Sequence, residues 1–184
     1  MYLQKWNKSE INDFKKGQKI LVDIFRKFDL FCRKHNIYYW GVGGVLIGSI
    51  RNKKMIDFDG DIDISMTESD YNKFSKLFDD FKGNDRYWLQ NKKTDTCYRS
   101  NIPKIRYLDA YYSDYKNKKW HNGIQIDIFV FKEEGELLVP IYPLLDIKTI
   151  KKNLVFPLKE LDFEEFKMYV PNNYQKYCID NWGD

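Results

Sequence analysis

The chain has 184 residues, 43% of them hydrophobic and 32% charged. That length suits a single domain over residues 1–184, and the composition excludes a disordered chain. The 31 basic and 27 acidic residues leave a net charge of +4. The basic residues come as short, scattered pairs (Lys15-Lys16, Lys53-Lys54, Lys151-Lys152) rather than as a stripe. No nucleic-acid partner is therefore expected, whereas a small anionic substrate suits the balance.

Cys32, Cys97 and Cys178 are odd in number and widely spaced, and His35 and His121 are the only histidines. This excludes a disulfide framework and a cysteine–histidine zinc site, and makes a reducing cytoplasm the expected compartment. Met1 to Lys19 carries no signal-peptide core, and no apolar run reaches the ~20 residues needed to span a bilayer.

In chain order, Ser9 is placed to cap a long helix whose stripe of Ile11, Phe14, Leu21, Ile24, Phe25, Phe28 and Phe31 marks a core face. That helix is expected to stop near His35-Asn36, followed by a buried strand over Ile37–Trp40. A turn at Gly43-Gly44 and a short helix over Val45–Ile50 come next. Ile62–Met66 alternates as a half-buried strand does, and Thr67 with Asp70 resembles a capping box. Tyr71, Phe74, Leu77, Phe78 and Phe81 mark the inner face of the helix it opens. Residues 83–96 read as a weak hairpin or loop, and Ile105–Leu108 and Ile124–Phe131 as strands. Pro140, Pro143, Pro157 and Pro171 punctuate the last third, where Asn172 or Asn173 is placed to cap a short helix running to Asp180. The fold class is α+β, with a small mixed sheet flanked by helices.

The chemistry concentrates in Asp57-Phe58-Asp59-Gly60-Asp61-Ile62-Asp63-Ile64. Residues two apart share a strand face, so Asp61 and Asp63 point one way while Ile62 and Ile64 enter the core. Two adjacent carboxylates repel, and a divalent cation between them relieves the repulsion. Asp127 interrupts the apolar run Ile124–Phe131, where a charge is costly unless paired or metal-bound. Should the two strands be neighbours, three carboxylates converge as a site for Mg²⁺ or Mn²⁺ able to promote in-line displacement at phosphorus.

Asp57, Asp59, Asp61, Asp63 and Glu68 also fall at calcium-loop spacing, but Ile62 stands where the turn glycine belongs. Gly43-Gly44, between a strand and a helix, is placed to present backbone amides to a phosphate, with Ser49 and Arg51 as further contacts. Neither a GxxxxGK[ST] loop nor a complete GxGxxG is present. Lys104 and Arg106, two apart in a strand, can both reach one pocket.

A glycine pair before a helix, a strand-borne DxD and a third Asp on a later strand together resemble the DNA polymerase β-like nucleotidyltransferase superfamily. Phe31–Ile37, Gly43–Arg51 and Phe58–Ile64 resemble the LicD and fukutin-like family more closely. Lys104-Ile105-Arg106, Ile126–Phe129, Val170–Tyr174 and Trp182-Gly183-Asp184 continue that likeness. Two departures stand out. Phe58-Asp59-Gly60-Asp61 replaces the family's Trp-Asp-Asp-Asp, and Lys132 stands where that strand commonly ends in Asp.

The resemblance implies transfer of a phospho-substituted alcohol, such as phosphocholine, from a cytidine diphosphate-linked (CDP-linked) donor to a sugar or glycan hydroxyl. Asp61, Asp63 and Asp127 would hold the metal, with Asp127 alternatively acting as base. Gly43, Gly44, Ser49, Arg51, Lys104 and Arg106 would face the phosphates. Nucleotidyl transfer from a nucleoside triphosphate to a protein or RNA, and a non-catalytic nucleotide-binding module, are the alternatives.

Overall fold

The computed structural model describes residues 7–57, 59–84, 86–111, 123–142 and 147–183. The sequence features at Phe58, His121, Pro143 and Asp184 lie outside these residues. In chain order the elements are α1 (Lys8–Lys34), β1 (Trp40–Val42), α2 (Gly43–Asn52), β2 (Ile62–Thr67), α3 (Glu68–Lys76) and α4 (Phe78–Lys82). They continue with β3 (Tyr87–Gln90), β4 (Lys104–Tyr111), β5 (Gly123–Glu134), β6 (Leu137–Pro140), β7 (Ile150–Lys151) and α5 (Lys152–Val155). β8 (Lys159–Phe163), β9 (Phe166–Val170) and α6 (Tyr174–Trp182) close the described chain. The architecture is the expected α+β one: a mixed sheet flanked by helices, with β8 and β9 forming a separate hairpin.

α1 begins one residue before Ser9. Asn7 is the cap: its side chain accepts from the Glu10 amide at 3.0 Å, and the Glu10 carboxylate accepts from the Asn7 amide at 2.8 Å. Two otherwise orphaned donors are satisfied reciprocally, so Ser9 lies inside the helix. The helix ends where Asn36 turns into the left-handed region at φ 49°. The strand expected at Ile37–Trp40 forms later, at Trp40–Val42, because those residues pair with Ser65–Asp63 of β2.

The main sheet runs β1-β2-β5-β4-β3, and β6 and β7 extend from the far half of β5. β2 and β5 run parallel, whereas the other described pairs are antiparallel. On one sheet face Ile62, Ile64, Ile105, Ile126 and Ile128 are at most 1% exposed. They join the aromatic stripe of α1, in which Phe28 meets Tyr39 at 5.1 Å, Phe74 at 5.2 Å and Phe81 at 6.4 Å between ring centroids. The single helix expected after Thr67 breaks at Leu77 into α3 and α4, which keeps Phe74, Phe78 and Phe81 on this core. Thr67 caps α3 by accepting from the Asp70 amide at 3.1 Å.

The buried pair Asp29 and Tyr39 ties α1 to this core, the phenol donating to the carboxylate at 2.8 Å. Arg33 donates to the same carboxylate and to the Lys167 carbonyl, which fastens the β8–β9 hairpin onto α1.

Phe28 is the centre of the aromatic cluster and has no exposed surface. Phe28→Ala should cost about 3–5 kcal/mol in a urea titration, the range for emptying a large aromatic site.

Candidate functional site

The opposite face of the sheet carries the polar residues of the central strands. The parallel register sets Asp63 beside Asp127, with Ser65 beside Phe129 and Thr67 beside Phe131. Antiparallel pairing then places Lys104 opposite Asp127 and Arg106 opposite Gln125. β1 contributes Val42 opposite Asp63, so the glycine turn begins directly at the carboxylates.

Asp61, Asp63 and Asp127 each offer one oxygen within 4.8 Å of the others. Asp127 is 7% exposed, and Asp61 and Asp63 are partly buried. One Asp127 oxygen accepts from Lys104 Nζ, while the other, Oδ1, is buried and has no hydrogen-bond partner among the described residues. A buried carboxylate oxygen left without a donor is costly, and an oxygen-seeking divalent cation satisfies it. The donor set of three clustered carboxylates fits Mg²⁺ or Mn²⁺ by its chemistry.

The electrostatics follow from this crowding. Burial, then Asp61, then Asp127 push the Asp63 carboxyl up to about 8. Asp127 is also raised by burial, with Lys104 acting against the rise. Lys104 thus partly compensates the charge that the sequence left isolated in an apolar strand.

A fourth acid belongs to the cluster. Asp59 is pushed up to about 6 by burial and by Asp61. Its carboxylate fills the space in front of Gly44, where an added Cβ would meet Asp59 Oδ2 at 1.9 Å. Gly43, at φ 58°, is similarly closed over by Asp63, whose Oδ2 would lie 2.8 Å from an added Cβ. Both glycines are therefore explained by close packing of carboxylates, and the immediate neighbours of the turn are anionic. Asp59 was legible only as the acid two residues before Asp61, in a segment that also reads as a solvated loop. Gln18 holds this segment by donating to the carbonyls of Ile56 at 3.0 Å and Asp59 at 2.9 Å.

The remaining candidates separate. Ser49 is buried and donates its hydroxyl to the Asp162 carbonyl of β8 at 2.7 Å, so it anchors the hairpin rather than facing the carboxylates. Arg51 lies exposed on the last turn of α2, about 12 Å along the axis from Gly43 at 1.5 Å per residue. Arg106 is 8% exposed and donates to Gln90 Oε1 at 2.9 Å, to the Gly123 carbonyl at 2.9 Å and to Gln125 Oε1. Its guanidinium cross-links β3, β4 and β5 beside the site, leaving Lys104 as the cation at the carboxylates.

A cleft of about 470 Å³ opens beside Gly43 and Asp63, with Phe129, Phe131, Tyr177 and Trp182 among its lining residues. The last two come from α6, capped by Asn173 as one of the two expected asparagines, its side chain accepting from the Lys176 amide at 3.2 Å. No helix among the described residues is long and apolar enough to cross a membrane.

The site is thus a carboxylate trio beside a glycine turn, on a mixed sheet with one parallel pair among the described strands. Residues 36–173 match the model of the LicD/FKTN/FKRP nucleotidyltransferase domain, and the chain belongs to this family. It is 28% identical over 130 residues to the lipopolysaccharide cholinephosphotransferase LicD of Haemophilus influenzae, covering 70% of this chain and 48% of that protein. It is 27% identical over 139 residues to an uncharacterised protein of Rickettsia typhi, covering 75% of this chain and 37% of the other. The chain thus spans half or less of the length of the curated relatives it matches.

The raised Asp63 carboxyl sets a pH dependence. Its value of about 8 in the fold exceeds the ~3.9 of an unfolded chain, so the folded state binds the proton more tightly. Metal-free stability should therefore fall as pH rises from about 4 towards 8, where the unfolded chain ionises first. Asp63→Asn should raise the metal-free Tm at pH 8 by several degrees, at about 2–4 °C per kcal/mol for a chain this size, and leave it unchanged near pH 4. Thermal melts of both proteins in chelator across this range provide the check.

Proposed function

We propose that the protein is a metal-dependent phosphotransferase that moves a phospho-substituted alcohol, such as phosphocholine, from a CDP-linked donor to a sugar or glycan hydroxyl. The observation that carries this reading is the convergence of Asp61, Asp63 and Asp127 within 4.8 Å beside the Gly43-Gly44 turn. Kinship with a cholinephosphotransferase supports the choice of transferred group and acceptor.

In this reading the three carboxylates hold Mg²⁺ or Mn²⁺, which when bound neutralises the donor diphosphate and the charge developing during in-line displacement. The acceptor hydroxyl forms a new bond to the phosphorus that carries the alcohol, and the bond from that phosphorus to the oxygen of CMP breaks. The hydroxyl proton passes to a carboxylate of the cluster. Lys104, paired with Asp127, neutralises the departing CMP, since charge-assisted contacts to phosphate outweigh neutral ones. Arg106 acts from behind by holding β3–β5 in register.

The description of the matched family as a nucleotidyltransferase domain favours a second reading, nucleotidyl transfer from a nucleoside triphosphate. The product separates the two: CMP in the first case, pyrophosphate in the second.

Asp61→Ala and Asp63→Ala should each lower turnover by about a thousandfold or more, since losing a metal ligand removes several kcal/mol of transition-state stabilisation. Circular dichroism should show both variants folded. Release of CMP from CDP-choline in the presence of a glycan acceptor and Mg²⁺ is the assay. Near-wild-type CMP release by either variant would contradict the assignment, and pyrophosphate release from a triphosphate without CMP release would favour the second reading.

A further inference from the structure

We propose that Gln18 is a positioning residue for the cation site: from α1 it fixes where Asp61 stands and so sets the affinity for the metal. The proposal rests on the reading of Asp61, Asp63 and Asp127 as metal ligands. Those three acids are not held alike. Asp63 lies within the sheet, paired with Val42 on one side and Asp127 on the other. Asp127 is paired in turn with Lys104 of β4. Asp61 precedes Ile62, the first paired residue of β2. It ends the stretch 53–61, which joins α2 to β2 without helix or strand structure among its described residues. A carboxylate outside the ladder and repelled by its neighbours depends on whatever holds that stretch.

Gln18 holds the end of it that bears the acids. Its amide nitrogen donates to the Ile56 carbonyl at 3.0 Å and to the Asp59 carbonyl at 2.9 Å. These carbonyls bound a turn that the Asp59 amide closes onto the Ile56 carbonyl at 3.1 Å. Both hydrogens of the Gln18 amide are thus used, and two carbonyl acceptors fix which end of it faces the turn. Asp59 packs its carboxylate against Gly44, and Asp61 follows two residues later. The opposite end of the stretch has its own anchor in the β8–β9 turn. Met55 donates its amide to the Glu164 carboxylate at 2.9 Å, and Glu164 donates its amide to the Lys53 carbonyl at 2.7 Å. An uncharged donor suits the place beside the acids. A lysine there would be drawn to the carboxylates and compete with the metal, whereas a glutamate would set acceptor against acceptor and add to the repulsion. α1 lies outside residues 36–173, so the family match extends no role to it.

The test is Mn²⁺ titration of the full chain and of Gln18→Met, read from the free-ion paramagnetic signal, with thermal melts in chelator alongside. The substitution keeps the side-chain length and removes both donors. The variant should bind Mn²⁺ about tenfold more weakly at a temperature where it is folded, the size of effect usual when a group behind a metal ligand is lost. Gln18→Asn, whose amide is withdrawn by one methylene, should weaken binding similarly and serves if Gln18→Met does not fold. Saturable binding by the wild type with unchanged affinity in the variant overturns the proposal and leaves the metal site standing. A lowered melting temperature with that unchanged affinity marks Gln18 as a structural brace only, which also overturns it. Absence of saturable binding by the wild type overturns the metal site and the proposal together.

Discussion

Three carboxylates held within 4.8 Å of one another on a partly buried surface repel, and much of this fold can be read as the means of keeping them there. The constraint originates in the register of the parallel β2–β5 pair, which sets Asp63 directly beside Asp127. A shift of one residue would turn every side chain of a strand to the other face, sending the acids into the core and isoleucines to the site. The fully buried isoleucines on the reverse face therefore fix the position of the acids. Around them, Gln18 pins the acidic segment to α1, and the two glycines let α2 begin in contact with the carboxylates. Lys104 supplies a resident positive charge that partly offsets the repulsion at Asp127.

The local unfavourable electrostatics are offset by a continuous aromatic core. Phe25, Phe28, Tyr39, Phe74, Phe81 and Phe163 are fully buried, and several of their rings meet edge to face, a geometry that adds to simple burial. The acids and the apolar core thus occupy opposite faces of one sheet. The face that stabilises the fold is apolar, and the face that bears the acids is destabilised by their mutual repulsion. Raised carboxyls at Asp59 and Asp63 are the physical expression of that division.

Elements with strong periodicity were legible in the sequence, and so was the acid trio. The alternation Asp61-Ile62-Asp63-Ile64 and the lone acid within Ile124–Phe131 already required both strands to present carboxylates on one face. Only their adjacency needed the structure. The β8–β9 hairpin was not legible, because its turn places Glu164 at φ 51° instead of the glycine or asparagine that signals such turns. Ser49 and Arg106 were candidates by residue type, but their partners lie 113 and 16 to 19 residues away in sequence, beyond what local spacing conveys. Asp59 was visible in the acid-rich segment but was not assigned to the site for the converse reason: its local setting reads as a polar loop, and packing against Gly44 and proximity to Asp61 join it to the cluster. The aromatic cleft was hidden because α6 comes from the far end of the chain.

The central claim is that Asp61, Asp63 and Asp127 form one cation site. Titration of Mn²⁺ into the protein, followed by the loss of the free-ion paramagnetic signal, tests it most directly. The account predicts saturable binding of one or two ions at pH 7.5, abolished in Asp127→Asn, with Mg²⁺ competing for the same sites. Absence of saturable binding, or binding that is unaffected by Asp127→Asn, would contradict it.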